Sequence, residues 1–450
     1  MGTFYIKQGR NIQLEGAAKT EIVKLPIPAR VAILPQDFRG IKPRLEVEVG
    51  NLVKAGTPVL VDRTHPEIKI VSPASGKVMA INRGDKRLLL EIVIEPDGRQ
   101  EAIHLRKFSH EEIKNLSRQQ IIEHLLEGGV WPFIRQRPFS KIAHPQDTPQ
   151  AIFIQAMNTE PLAPDVDFIL KDKEAEFQTG LDILRQLTKG KVYLCFDLNA
   201  KSKALLEAKN VEKHTFAGPH PAGNVSTHIH YLNPIRQRND IVWYLGAQEV
   251  LRAAALFLYG AFSPERYVAI TGEGAEKRVY AQTIIGTAIN NLFEGKLKSD
   301  MRYISGSILN GKNSGRNGYL SFYDTQVTVI PEGGRRHFLG WLTPGFKQNT
   351  FSKTFVSSFL PEREVAVDTD THGSDRAIVL NDIYDQYVAL DIMTFFLLRA
   401  VIAGDIEEAE KLGILECDEE DFALCSFACP SKTDVGGIIR AGLDLIEREG

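Results

Sequence analysis

The sequence contains few cysteines. There are four in 450 residues, too few for disulfide bonds to hold a chain of this length together. Cys195 stands alone, whereas Cys417, Cys425 and Cys429 lie close together near the C-terminus. The first residues, MGTFYIKQGRN, lack the apolar core of a secretory signal. We therefore expect a cytoplasmic protein whose thiols are reduced.

Long apolar runs and a charge imbalance are also absent. The two most apolar segments, 243–262 and 393–403, are interrupted by Glu249 and Arg252 and by Arg399. Neither offers the roughly 20 apolar residues of a spanning helix. The formal net charge of −3 gives no electrostatic reason to expect nucleic acid or an anionic bilayer as a partner. We expect a soluble protein that contacts membranes only peripherally, without nucleic acid.

The composition is that of a folded protein, with 43% hydrophobic and 25% charged residues. At about 150 residues per domain, the length predicts roughly three domains. Apolar and polar residues alternate in the first hundred positions, as in RLEVEV at 44–49. Gly, Pro and Asn interrupt this pattern every 8–12 residues or so, as turns do between strands. Residues 1–105 are therefore predicted to form an N-terminal segment and a small β barrel or sandwich.

Strand and helix patterns alternate in residues 106–260. Ser109 and Ser117 each stand three residues before a Glu or Gln, which is the capping-box pattern at a helix start. Apolar runs at 151–155 and 191–196 predict strands. This alternation favours an α/β layer with a parallel sheet.

The last two parts differ from the α/β layer and from each other. Residues 261–332 read as a small α+β unit, with a helix predicted at 281–293. Residues 333–450 read as an irregular linker followed by a helical domain, with helices predicted at 383–401 and 406–412.

One motif in the first part resembles a biotinyl/lipoyl carrier domain. It consists of VEVGNLVKAGTPVL at 47–60 and IVSPASGKV at 70–78. Such carriers hold a modified lysine on a hairpin, seven residues before the position of Ser72. Here that position is His65, and Lys69 is out of register. We predict a carrier-like fold used as a scaffold, with an acyl or biotin carrier as the less favoured alternative.

A second motif is the loop GGVWPFIRQRPFSKIA at 128–143, near a strand that runs into NTEP at 158–161. In an α/β layer the carboxyl end of a strand is the usual place for a cofactor. A phosphate cradle needs small residues, which this loop lacks. Apolar rings beside polar groups suit a quinone or a partner surface, and a buried structural loop is the alternative. The candidate contact residues of this loop, expected to be exposed, are Trp131, Phe133, Arg135, Arg137 and Phe139.

The histidines and C-terminal cysteines do not form a metal-binding pattern. Four histidines fall within 17 residues, at 214, 220, 228 and 230. An H-x-H on a strand would point both rings to one face, but no carboxylate or Cys stands at metal spacing. We predict that this segment is a Gly/Pro loop packed into a domain interface. The cysteines follow C-x7-C-x3-C-P, whereas a four-iron cluster run reads C-x2-C-x2-C-x3-C-P. We predict no metal site, and a shared, partly buried helix face for Cys425 and Cys429.

Long and unusual segments across nearly the whole chain resemble one family, the A subunits of the Na+-translocating NADH:quinone oxidoreductase (Nqr). The family is related to the C subunit of Rnf complexes and to the flavin-bearing subunit of respiratory complex I. Those relatives carry a Gly-rich FMN loop and cysteine clusters, which are replaced here by residues 131–139 and by the incomplete cysteine run. The matching segments are FYIKQGRNIQLEG, VEVGNLVKAGTPV, WPFIRQRPFSK, QAMNTEPLAPD, GPHPAGNVSTHIHYLNP, RYVAITGEGA, YISGSILNG and LCSFACPSK.

The resemblance implies both a fold and a function. The fold would comprise a biotinyl/lipoyl-like barrel, a Rossmann-like α/β domain resembling the complex I flavin domain, a β-grasp-like domain of the SLBB type and a helical C-terminal domain. The chain would be a peripheral subunit without its own cofactor, on the cytoplasmic face of the bacterial inner membrane. It would dock on the membrane subunits and contribute to ubiquinone binding, while NADH, flavins and iron–sulfur centres are held by other subunits. The alternative is an Rnf-type soluble electron-transfer subunit that holds FMN or an iron–sulfur cluster.

Overall fold

A computed structural model describes residues 2–293, 297–334, 342–346, 354–361, 363–374, 376–378 and 382–449. Much of the predicted linker after residue 333 lies outside these ranges. In the described ranges the strands form four sheets. No helix of these ranges has the length and apolar character needed to cross a bilayer.

The first hundred residues are β structure, as predicted. After two separate N-terminal strands they form a four-stranded sheet, in the order β3-β9-β8-β5, and a three-stranded sheet, in the order β4-β6-β7. Apolar side chains of both sheets join one buried cluster. The strands are β1 (Gly2–Tyr5), β2 (Ile22–Lys24), β3 (Val31–Ile33), β4 (Pro43–Leu45), β5 (Leu52–Val53), β6 (Pro58–Asp62), β7 (Lys69–Val71), β8 (Gly76–Arg83) and β9 (Leu89–Pro96).

Helices and parallel strands alternate in the second part. The first two helices begin at the predicted capping boxes, in which Ser109 bonds Glu112 and Ser117 bonds Gln120. The elements are α1 (His110–Lys114), α2 (Arg118–Glu127), β10 (Arg135–Arg137), β11 (Lys141–Ile142), β12 (Ala151–Ala156), α3 (Val166–Ile169), α4 (Glu174–Arg185), β13 (Lys191–Asp197), α5 (Lys203–Leu206), β14 (Glu212–Ala217), α6 (Val225–Leu232), β15 (Val242–Gly246) and α7 (Ala247–Tyr259).

These strands make a seven-stranded sheet in the order β1-β14-β13-β12-β15-β10-β11. The strands β1, β14, β13, β12 and β15 are parallel. From β12 the chain builds the sheet towards β13 and β14, and then returns to add β15 on the other side. The point between β12 and β15 is therefore a topological switch, where the connections leave a crevice at the carboxyl ends of the strands.

The third part is a six-stranded sheet in the order β19-β18-β20-β16-β17-β2. The helix predicted at 281–293 is wrong, because its first residues form β17. Thr283, Ile284 and Ile285 are β-branched, which favours a strand, and Gly286 follows with φ of +70°. The new strands are β16 (Glu265–Thr271), β17 (Tyr280–Ile284), β18 (Met301–Ser305), β19 (Lys312–Asn313) and β20 (Gln326–Pro331).

The N-terminal segment connects the sheets. Strand β1 pairs with β14 at the edge of the seven-stranded sheet, and β2 pairs with β17 of the six-stranded sheet. Local patterns did not predict this, because both strands are too short to show alternation and gain their hydrogen bonds from distant residues.

The C-terminal part is helical, as predicted, but its first helix is shorter than expected. The helix predicted at 383–401 begins at Thr394, whose N–H donates to Asp385 Oδ1 at 3.2 Å. Residues 387–390 before it are buried without helical structure. The helices pack on one face of the seven-stranded sheet and share its buried cluster. They are α8 (Thr394–Ala403), α9 (Ile406–Lys411), α10 (Ala423–Ala428) and α11 (Val435–Glu449).

Candidate functional site

A cavity of about 330 Å³ lies at the switch between β12 and β15. One wall follows the ends of these strands and contains Asn158, Glu160 and Gly246. The other walls come from the segment before β4, from β10, from the six-stranded sheet and from residues 418–420 of the C-terminal part. The sequence predicted the position at the strand ends. The contribution of the C-terminal part was missed.

Trp131 and Phe133 of the predicted loop are buried and Phe139 is half-buried, so the expectation that this loop is exposed is wrong. Trp131 is 0% exposed, and its Nε1 donates to the Ala143 carbonyl at 2.7 Å. Phe133 is 1% exposed and stacks on Phe322, with 4.4 Å between ring centres. The Arg252 guanidinium lies 4.6 Å from the Phe133 ring centre. These rings fill the space between sheets instead of facing solvent.

Arg135 is the one cation of the loop that lines the cavity, beside Phe133, Ser140 and Ile142. Its Cζ lies 4.5 Å from the ring centre of Tyr244 and 4.8 Å from that of Tyr323. Stacking on two rings holds the guanidinium while leaving its N–H edge available as a donor. In the described part of the chain no carboxylate lies within ion-pair distance of Arg135. The side chain is thus a cation that can donate hydrogen bonds into the cavity.

Arg137 lies behind the cavity wall and is 1% exposed. Its Nη2 is 3.2 Å from Asp418 Oδ2 and 3.1 Å from Glu420 Oε1. Phe139 is half-buried, and its carbonyl accepts a hydrogen bond from Arg440. Arg137 and Phe139 therefore fasten the loop to the C-terminal part, and neither lines the cavity.

Asp418 is the centre of this attachment. Its carboxylate lies 3.5 Å from Arg39, 3.2 Å from Arg137 and 3.3 Å from Arg440, and Ser140 Oγ donates to it at 2.6 Å. Burial alone would raise the pKa of Asp418, but the three guanidinium groups and Ser140 hold that pKa well below its usual range. The carboxylate is therefore ionised and fixed in place.

Glu420 behaves differently from its neighbour. Burial raises the pKa of Glu420 to about 8. The nearby carboxylates of Asp418 and Asp421 also raise this pKa, whereas the Arg137 guanidinium lowers it. A second acid in the wall, Asp324, has its pKa raised to about 6 by burial while it accepts a hydrogen bond from Ser305. The wall therefore contains acids that can carry a proton near neutral pH.

The cavity wall is mainly acidic. Its carboxylates outnumber its cations, and Glu160 is already engaged by Ser307 at 2.9 Å and Asn310 at 2.7 Å. Such a wall suits a neutral polar ligand and disfavours phosphate groups. The carboxylates are those of Asp37, Glu160, Glu249, Asp324, Asp418, Glu419 and Glu420, and the cations are Arg39, Arg135 and Lys312.

The histidines separate in the structure. His228 and His230 lie on α6, so the loop predicted for this segment is wrong at these two residues. Burial lowers the pKa of His228 to about 3, while the hydrogen bond between His230 and Glu416 raises the pKa of His230. Across the described ranges, no three His, Cys, Asp or Glu side chains are grouped as metal ligands.

The two other sequence predictions about single residues are confirmed. His65 lies in the turn between β6 and β7, where a carrier domain would have its lysine, and its Nε2 is 3.2 Å from Nε2 of His144. Cys425 and Cys429 lie on α10 or directly at its end, and both are buried. The Tyr384 hydroxyl lies 3.1 Å from Cys429 Sγ.

These features define a multidomain protein of mixed α/β structure, with a barrel-sandwich, an α/β domain that has a cavity at its switch point, and a further small sheet domain. The chain belongs to the NqrA family, the A subunits of the Na(+)-translocating NADH-quinone reductase. Family profiles described as NqrA N-terminal barrel-sandwich hybrid domain, NqrA second alpha/beta domain and NQRA C-terminal domain match residues 4–97, 116–262 and 267–315.

Curated relatives cover the whole chain. The NqrA proteins of Yersinia pseudotuberculosis and Hahella chejuensis are each 40% identical over 99% of both chains, and that of Neisseria meningitidis is 38% identical over the same share. A solved structure, the NAD+-reducing [NiFe]-hydrogenase, matches 50% of this chain and 49% of its own with 12% identity and a TM-score of 0.36. That structural similarity is too low to indicate a shared fold.

Proposed function

We propose that this chain is the peripheral NqrA component of a Na+-translocating NADH–quinone reductase, on the cytoplasmic face of the bacterial inner membrane. The observation that carries this proposal is 40% identity over 99% of both chains to proteins of that name. In this proposal the complex is the enzyme, and the chain alone does not catalyse the reaction. The chain docks on the membrane subunits, foremost on the one that holds the quinone site.

The proposal includes a role in quinone binding for the switch-point cavity. A quinone is neutral, and its two carbonyl oxygens need hydrogen-bond donors, with an apolar surface for the ring. Arg135 supplies N–H donors, and the rings of Phe133 and Tyr323, which also line the cavity, supply apolar surface. Reduction to the quinol consumes two protons. Glu420, with a pKa of about 8, can carry a proton in the same wall at neutral pH.

The five predicted contact residues take different parts in this proposal. Arg135 touches the quinone headgroup. Phe133 is part of the wall itself, whereas Trp131 and Arg137 are buried outside the lining and support the wall from behind. Phe139, which is half-buried, contributes to contact with a partner subunit.

We further propose that this chain holds no tightly bound cofactor, and that NADH, flavins and iron–sulfur centres belong to other subunits. Two features support this. Bulky buried side chains stand where a phosphate cradle would need small residues, and the cavity wall is rich in carboxylates. We also propose domain folds and boundaries for the chain. The domains are biotinyl/lipoyl-like, Rossmann-like, β-grasp-like and, last, helical, with boundaries at residues 105, 260 and 332.

A photoreactive ubiquinone analogue applied to the intact complex tests the quinone site. We expect labelled peptides from the cavity wall. In a complex with Arg135→Gln, the KM for ubiquinone should rise about tenfold, because the loss of one charged hydrogen bond costs about 1.5–3 kcal/mol. Reduction of an artificial acceptor by NADH should stay unchanged. Arg106→Gln is the matched control, because Arg106 also stacks on an aromatic ring, that of Phe108, but is exposed. Labelling confined to other subunits would contradict the site.

An absorbance spectrum of the purified chain tests the cofactor proposal. We expect no flavin or iron–sulfur bands in protein purified without reconstitution. A stoichiometric flavin or iron content would favour the Rnf-type alternative instead.

A further inference from the structure

Helix α8 is apolar on both sides, but the structure buries one side. Leu397 and Leu398 are fully buried in the cluster shared with the seven-stranded sheet. On the opposite side, Phe396 is 53% and Ile402 is 57% exposed, and Met393, directly before the helix, is 56% exposed. A helix that is apolar all round is normally covered on all sides. Among the residues that the structure describes, nothing covers the outer side of α8 as its composition requires.

The exposed side chains lie on one side of the helix. At about 100° per residue, Phe396, Arg399 and Ile402 span an arc of roughly 120° on the helix. Arg399 is exposed and lies between the two apolar side chains. Contiguous apolar patches with a polar border mark interaction sites. We call the surface of Met393, Phe396, Arg399 and Ile402 the α8 face.

The border of the α8 face is mainly acidic. Asp391 is exposed just before the helix, and Asp405, Glu407 and Glu408 are exposed just after it. Lys411 offsets part of this charge, since its Nζ lies 3.7 Å from Glu408. An anionic lipid surface would be repelled by such a border. A basic partner would be attracted to it.

The acidic border of the α8 face favours a basic protein partner. Cytoplasmic loops of membrane proteins carry an excess of Lys and Arg. We propose that the α8 face binds a Lys- and Arg-rich cytoplasmic loop of a membrane subunit of the complex, with Phe396 inserted into an apolar pocket of that partner. This inference rests on the proposed function, and it adds to it the surface and the class of partner.

Retention of membrane subunits by a tagged chain tests the inference. The tagged full-length chain is expressed together with the other subunits, and the membrane subunits that co-purify are quantified. We expect Phe396→Asp to lower this amount about tenfold or more, as loss of a central aromatic anchor does. Glu407→Lys with Glu408→Lys should lower it too, and should remove its sensitivity to salt.

Leu52→Asp is the matched control, because Leu52 is 82% exposed on β5 and lies outside the α8 face. It should retain the membrane subunits as the unchanged chain does. Both Phe396→Asp and Leu52→Asp should melt like the unchanged chain, since neither side chain is in the core. If Phe396→Asp fails to fold, Phe396→Ser and Ile402→Lys replace it.

Four outcomes would overturn the inference. Equal retention by Phe396→Asp and the unchanged chain would show that this face is not the docking surface. A dimer in light scattering that becomes a monomer in Phe396→Asp would assign the face to a second copy. Flotation of the unchanged chain with phosphatidylglycerol vesicles, lost in the variant, would assign it to lipid. If the unchanged chain itself retains no membrane subunit, both the proposed function and this inference fail. If the unchanged chain retains them and Phe396→Asp does so equally, only the inference fails.

Discussion

Arg137 and Asp418 form an ion pair inside the protein, with 3.2 Å between Nη2 and Oδ2. Arg137 belongs to β10 of the seven-stranded sheet, whereas Asp418 precedes α10 in the C-terminal part. The pair therefore joins two parts of the chain that are far apart in sequence. It also fixes residues 418–420 as a wall of the cavity.

Removal of Arg137 should destabilise the whole fold. Arg137→Ala leaves Asp418 with two of its three guanidinium partners and Glu420 without its hydrogen bond from Arg137. Breaking a buried pair from one side costs about 3–5 kcal/mol. Urea unfolding of the isolated chain should show this loss. Arg106→Ala, at an exposed arginine, should change the unfolding free energy by less than about 0.5 kcal/mol. Equal stability of both variants would contradict the burial of Arg137.

Phe133 should contribute to stability as a core residue. Phe133→Ala removes a ring that is 1% exposed and stacks on Phe322, and such truncations cost about 3–5 kcal/mol. The melting temperature of the isolated chain should fall accordingly. Phe359→Ala is the control, because Phe359 is 83% exposed. A normal melting temperature combined with a specific defect in quinone reduction would restore the exposed-loop interpretation.

Glu420 should make the protein less stable as the pH rises. Its folded-state pKa of about 8 exceeds the value of about 4.3 for an exposed glutamate. Between these two pH values the folded state binds more protons than the unfolded state, so the free energy of unfolding falls with rising pH. Glu420→Gln removes this contribution. At about pH 8 the variant should be more stable than the unchanged chain, and at about pH 4.5 the two should be equally stable. These pH values lie near the folded-state and unfolded-state pKa of Glu420.

Thermal melts of both proteins across this pH range provide the measurement. Glu111→Gln, at an exposed position on α1, should leave the pH dependence unchanged. A Glu420→Gln curve parallel to that of the unchanged chain would show that Glu420 does not hold the extra proton.

The hairpin at His65 should carry no covalent cofactor. Its position between β6 and β7 corresponds to the lysine of a carrier domain, but an imidazole cannot form the amide through which biotin or lipoate is attached. The intact mass of the chain purified from its native complex should equal that of the unmodified sequence, 50.2 kDa. A mass increment of biotin or lipoate on a peptide containing Lys69 would refute this.

The sequence alone predicted the features that depend on neighbouring residues. The capping boxes at Ser109 and Ser117 were predictable because a cap and its partner are three residues apart. The hairpin at His65 follows from local spacing in the same way, and so does the helix that contains Cys425 and ends directly before Cys429. The membership of the family rests on long motifs that the sequence displays directly.

Tertiary structure alone decided the features that depend on distant residues. The loop at 131–139 contains aromatic rings and cations, and such residues are found both on exposed binding surfaces and in buried interfaces. It is buried because Phe322 and Asp418, both far along the chain, supply a stacking ring and a counter-charge. For the same reason β1 and β2 joined sheets made by later residues. Burial and pairing depend on which surfaces meet in space, and no local pattern in a single sequence specifies that.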